Sequence, residues 1–144
     1  MKNDLVYSCA FGNVKAWSIQ NQQIDKEFVN NGHVYDMFLG REETPLAGQI
    51  VLIGHTDNSC DIFNIETGVK LNTINIHNCH SVAVDKAQSL IAVGSSKKVT
   101  FIQTNDFEII KEVELNDVCS LAFNKRNDCM LAVTRHGEIY SFKF

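Results

Sequence analysis

Short apolar runs bounded by polar turns set the rhythm of this chain. DLVYSCA, NVKAWSI, QIVLIGH, SCDIFNI, SLIAVGS, KVTFIQT, CMLAVTR and EIYSFKF follow one another along it. They are rich in Val, Ile and Phe and are separated by Gly, Asn, Asp and Ser, the composition of β-strands and their turns. No window sustains the apolar spacing of a helix. Pro45, the only proline, falls in the polar stretch GREETPLAG. The pattern predicts an all-β chain.

The runs also repeat. YSCAFGNVKAWSI, VLIGHTDNSCDIFNI, IAVGSSKKVTFIQT and LAVTRHGEIYSFKF each hold a small-residue strand, a tight polar turn and a second strand. That second strand carries a large apolar residue at one matched place: Trp17, Phe63, Ile102 and Phe142, separated by 46, 39 and 40 residues. Upstream, SVAVDKAQSLIAV aligns with CSLAFNKRNDCMLAV. QIDKEFV, VKLNTINI and EIIKEVEL lie between cycles, with the mixed polarity of sheet edges facing water. A cycle of about 40 residues with four strands is the sequence signature of propeller blades. A blade covers both faces against its neighbours, so its inner strands must be apolar on both sides, as SLIAVGS and CMLAVTR are. The expectation is a partial β-propeller of four-stranded antiparallel blades, with repeats at residues 4–30, 31–76, 77–116 and 117–144. Counted from inner to outer strand, the chain starts on a second strand at Leu5 and ends on a third strand. Two blades are then complete and two incomplete, with fourteen strands in all.

The quoted segments resemble the WD-repeat family over nearly the whole chain. NVKAWSI is similar to that family's penultimate strand, with Trp17 in the tryptophan place, and GHVYDMF resembles its Gly-His signature at Gly32 and His33. Asp57, six residues before Phe63, matches the tight-turn aspartate. The resemblance implies a structural hydrogen-bond pair of His33 with Asp57, and blade anchors at Trp17, Phe63, Ile102 and Phe142. Phe11, Ser96 and His136 stand where the other repeats would carry the aspartate. It further implies a partner-binding rim built from loops before inner strands and turns between second and third strands. Asn31, His77, Asn78, Asn116 and Asp117 come from the loops, and Lys97 and His136 from the turns.

Rings of this kind need about four to eight blades, so 144 residues hold roughly half of a seven-blade ring. A second copy, a different chain or a longer gene product could supply the rest, and a small four-bladed ring is a further option. An uncovered blade face exposes an apolar patch, so association with another protein chain or with a homodimer partner is expected.

Composition narrows the partners. The apolar share is 44%, the charged share 21% and the net charge −4. That acidity excludes a nucleic-acid surface, which needs clustered cations. Lys97-Lys98 and Lys125-Arg126 read as solvated turns. No apolar run reaches the ~20 residues of a membrane span, and no leader-like apolar segment opens the chain. Five cysteines without a Cys-x-x-Cys pair read as reduced thiols in the cytoplasm, with the nucleus the other option.

Chemistry is sparse. No Gly-x-Ser-x-Gly turn or Gly-rich phosphate loop is present. HNCH, His77 to His80, is the only metal-like cluster, and structural zinc needs two further donors, for which His55 or Cys119 would have to come from distant loops. No cofactor or metal is expected. GREETPLAG reads as a surface insertion, with Thr44-Pro45 a candidate contact or phosphorylation loop. The expected function is a non-enzymatic interaction scaffold within a larger complex. A small-ligand-binding, metal-binding or hydrolytic propeller working through central-channel residues is the alternative.

Overall fold

The computed structural model describes residues 5–54 and 58–143, without the side chains of 10–12, 29–32 and 54. Among the described residues there is no helix. Twelve extended segments run in order: β1 (Leu5–Ser18), β2 (Gln23–Leu39), β3 (Gln49–Gly54), β4 (Ser59–Asn64), β5 (Lys70–Asn75), β6 (Cys79–Val84), β7 (Leu90–Ser95), β8 (Lys98–Gln103), β9 (Ile109–Glu114), β10 (Val118–Phe123), β11 (Cys129–Thr134) and β12 (Ile139–Lys143).

The first two segments are double-length. Within β1 the Trp17 indole Nε1 donates to Ser8 Oγ at 2.9 Å. A straight strand would hold residues nine apart ~30 Å from each other, so the chain doubles back inside β1. β2 pairs with β1 over Gln23–Val29 and again at His33, opposite Phe11, and with β3 over Val34–Leu39. Residues 30–32, read from the sequence as a break between two strands, continue the extended backbone from the β1 ladder into the β3 ladder. Counted this way, fourteen strands form four antiparallel sheets. β2–β5 and β6–β9 are complete four-stranded blades, β10–β12 has three strands, and β1 with the start of β2 makes the first. The sheets do not close into a ring, so the architecture is that of a partial propeller.

Side chains alternate across each strand, and both sets are apolar. From β3 and β4, Ile50, Leu52 and Phe63 face the first sheet and pack with Val14 and Phe28. Val51, Ile53, Cys60 and Ile62 face the other way and meet Ile91, Val93 and Ile102 of the next blade. That blade in turn presents Ala92, Val99 and Phe101 to Met130 and Ala132 of β11. Outer strands lose this requirement: β5 and β9 are mostly exposed.

Two blades approach closely at Gly94. A Cβ there would lie 2.6 Å from Val118 Cγ1 and 3.4 Å from Leu121 Cδ1 of the next inner strand. Gly94→Ala is expected to lower stability by about 1–3 kcal/mol through this overpacking, read as a shift of the urea midpoint at unchanged slope.

Candidate functional site

The rim expected to meet partners is a continuous hydrogen-bonded band. Ile76 N donates to Asn58 O at 2.9 Å, and Leu115 N donates to Lys97 O at 3.0 Å, the same bond one repeat later. Ser96 N donates to Asn78 O at 3.1 Å, and Arg135 N donates to Asp117 O at 2.9 Å. Each loop between blades is thus sewn to turns of its neighbours. Asn78 and Asp117 hold positive φ (53° and 54°), a conformation Asn and Asp tolerate, and so aim their carbonyls at these donors.

Of the rim residues, His77, Asn116, Lys97 and His136 are exposed, while Asn78 and Asp117 are half-buried. The Asn78 main-chain N–H donates to Asn58 Oδ1 at 3.0 Å. His136 Nε2 lies 3.4 Å from Asp117 Oδ2, bringing two expected rim residues from successive turns together. Asn31 sits on the β2 backbone, its side chain among those not described. Asp57 also lies outside the described residues, so the His33–Asp57 pair has no structural account; His33 packs its ring 6.1 Å from that of Tyr35.

The anchor positions share one face. Phe63, Ile102 and Phe142 all point at the preceding sheet. Phe63 meets Phe28 and Phe142 meets Phe101 edge-on, each pair at 6.2 Å between ring centroids. Trp17, at the matched place in the first sheet, is 38% exposed and holds Ser8 Oγ through its indole N–H.

A polar column near the axis was not read from the sequence. Asp36 Oδ2, on β2, accepts Val82 N at 3.0 Å and Ser81 Oγ at 3.3 Å from the inner strand of the next blade. Ser81 Oγ in turn accepts Leu121 N at 3.1 Å from the blade after that. Innermost strands have a free edge, and each blade's polar side chain caps one edge N–H of its successor. The spacing between Asp36, Ser81 and Ser120 (45 and 39 residues) is the signal that was available, since it matches the repeat.

At the opposite end of the inner strands, Arg41, Lys86 and Lys125 recur at matched positions around a cleft of about 620 Å³ floored by Phe38, Val84 and Phe123. The GREETPLAG insertion folds over this end. Leu46 is buried, Arg41 N donates to Gln88 Oε1 at 3.0 Å, and the Thr44 hydroxyl lies 2.5 Å from the same oxygen. Thr44 is therefore engaged in holding the buried Gln88, and its loop is structural at this point.

HNCH does not converge: His77 is exposed, the Cys79 thiol is buried against Ser59 O at 3.3 Å, and the His80 ring packs 5.7 Å from Tyr35. Among the described residues no three His, Cys, Asp or Glu side chains come together as a metal site would require. Burial, with Cys79 and Asp61 adding, pushes the Cys60 thiol far above its ordinary range.

No family model and no curated protein matches the sequence. Solved structures do. Saccharomyces cerevisiae Sqt1 superposes with a TM-score of 0.82 at 17% identity, over 95% of this chain and 40% of that one. Hydrazine synthase of Kuenenia stuttgartiensis gives 0.80 at 10% identity, over 92% of this chain and 40% of that one. The computationally designed Ika4 protein gives 0.79 at 14% identity, over 100% of this chain and 88% of that one. The likeness is one of fold, and the fold is propeller-like. This chain spans about two-fifths of the two natural structures and most of the designed one.

Two outcomes follow from the geometry. Ser81→Ala leaves the Leu121 N–H without an acceptor inside the protein and is expected to cost about 1–3 kcal/mol, measured by urea unfolding. Iodoacetamide at about pH 8.5 is expected to label exposed Cys119 in the native protein, and Cys60 only after unfolding, as resolved by peptide mass spectrometry.

Proposed function

We propose that this chain is a non-enzymatic protein-interaction scaffold, a WD-repeat-like propeller segment that works while seated against another polypeptide in a larger assembly. One observation carries the reading. In β2–β5, Val51 and Cys60 are 0% exposed, and in β6–β9 the matched Ala92 and Val99 are also 0% exposed. Their counterparts in β10–β12, Leu131 and Ile139, are 42% and 69% exposed. A set of positions that is core twice and surface once marks a sheet face built to be covered. The rim supports the same reading: exposed His77, Lys97, Asn116 and His136 project from loops fixed by main-chain bonds, the arrangement from which rigid scaffolds recognise partners.

An alternative ligand-binding or hydrolytic role through axis residues has less behind it, because Asp36 and Ser81 are already engaged by main-chain N–H groups. The described thiols are all unbridged, which fits the proposed cytoplasmic setting.

Light scattering on the chain purified under mild conditions tests the proposal. The expected result is co-purification with a second polypeptide in a complex above 16.2 kDa, which Leu131→Lys or Ile139→Lys dissolves while circular dichroism stays that of a folded β protein. A folded monomer that both variants leave unchanged would overturn it.

A further inference from the structure

The polar column near the axis has a third member with no recipient among the described residues. Asp36, Ser81 and Ser120 occupy the same place on successive inner strands, pairing across their ladders with Ile53, Gly94 and Val133. The rule linking them is uniform. The side chain at this place takes the N–H of the residue just after the matching place in the next blade: Asp36 takes Val82 N, and Ser81 takes Leu121 N. The matching amide on β2, Met37 N, donates to Asp36 Oδ1 of its own strand at 2.9 Å. A carboxylate has acceptors enough for both jobs, and a serine hydroxyl suits the single cap needed further along. Ser120 is exposed, on the face whose Leu131 and Ile139 are uncovered.

The rim repeats the message independently. Ile76 N on Asn58 O and Leu115 N on Lys97 O are one bond displaced by 39 residues, and the next step of that series falls on the carbonyl of His136. The Ser120 hydroxyl and the uncovered apolar side chains lie on the same side of β10–β12.

We infer that Ser120 is the docking register for a further blade: the face of β10–β12 receives another four-stranded sheet, whose inner strand places a main-chain N–H on Ser120 Oγ. The occupant is a polypeptide blade carrying its own inner strand. In Sqt1 and in hydrazine synthase the matching segment is only 40% of the chain, which leaves chain in hand to supply such a blade. A second copy of this chain fits less well, since the first sheet it would offer begins with β1, whose fold-back hairpin is the second and third strands of its blade. The inference rests on the scaffold reading above.

The test extends the full chain by one cycle, repeating residues 104–143 directly after Lys143. This places a second copy of the β9–β12 sequence in register with the end of β12. The extended chain is expected to melt higher than the parent. Ser120→Ala is expected to lower the melting point of the extended chain by about 2–4 °C, the equivalent of one lost hydrogen bond in a domain of that size, and to leave the parent unchanged. Hydrogen exchange gives a second readout: the amide of the repeated Leu121 should be protected, and Ser120→Ala should release it. Equal Ser120→Ala shifts in both chains, or none in either, would overturn the Ser120 assignment while the scaffold reading stands. A parent dimer at twice 16.2 kDa that Ser120→Ala weakens would overturn the occupant in favour of a second copy. Extension without any gain in melting temperature would overturn the blade-stacking reading itself.

Discussion

A β-sheet that is apolar on both faces has to be covered on both faces, and this chain contains such sheets in succession. The hydrophobic effect contributes roughly 25 cal/mol per Å² of apolar surface removed from water, and no single four-stranded sheet can remove its own two faces. Stacking does so for every interior sheet. Val51 and Ile53 are covered by Ile91 and Val93, and Ala92 and Val99 by Met130 and Ala132. The order of blades, the narrow approach at Gly94 and the exposure of the terminal sheets all descend from that demand.

Apolar contact alone leaves the angle and register between neighbouring sheets loosely defined, because it is non-directional. Direction comes from two polar series. Near the axis, carboxylate and hydroxyl side chains reach across to main-chain N–H groups of the next inner strand. On the rim, loop amides reach back to turn carbonyls at an unvarying 39-residue offset. Each bond caps a strand edge or loop group that stacking would otherwise leave unpaired. Loops fixed from behind in this way have little conformational freedom left to lose.

Sequence reading reached the strands, the repeat and the blade order, because strand alternation and turn chemistry are local properties. The doubling-back of β1 was legible in FGN between two apolar runs, and the identity of outer strands in the mixed polarity of VKLNTINI and EIIKEVEL. It missed the continuity of β2 through residues 30–32, where Asn-Asn-Gly has the composition of a turn and the backbone stays extended between two ladders. The metal-like grouping of HNCH was also a property of spacing alone: strand alternation sends Cys79 inward and leaves His77 in water.

The amino-acid sequence by itself determined that the chain is a series of antiparallel sheets about 40 residues apart, each too apolar to stand uncovered. Only the tertiary structure decided which of its equivalent residues are core and which are surface. Val51, Ala92 and Leu131 read alike in the sequence, and what separates them is whether another sheet lies across from them. The same holds for Asp36 and Ser81, whose main-chain partners sit 46 and 40 residues away and belong to no local pattern. Burial and capping are relations between sheets, and a sequence period records the sheets without recording their neighbours.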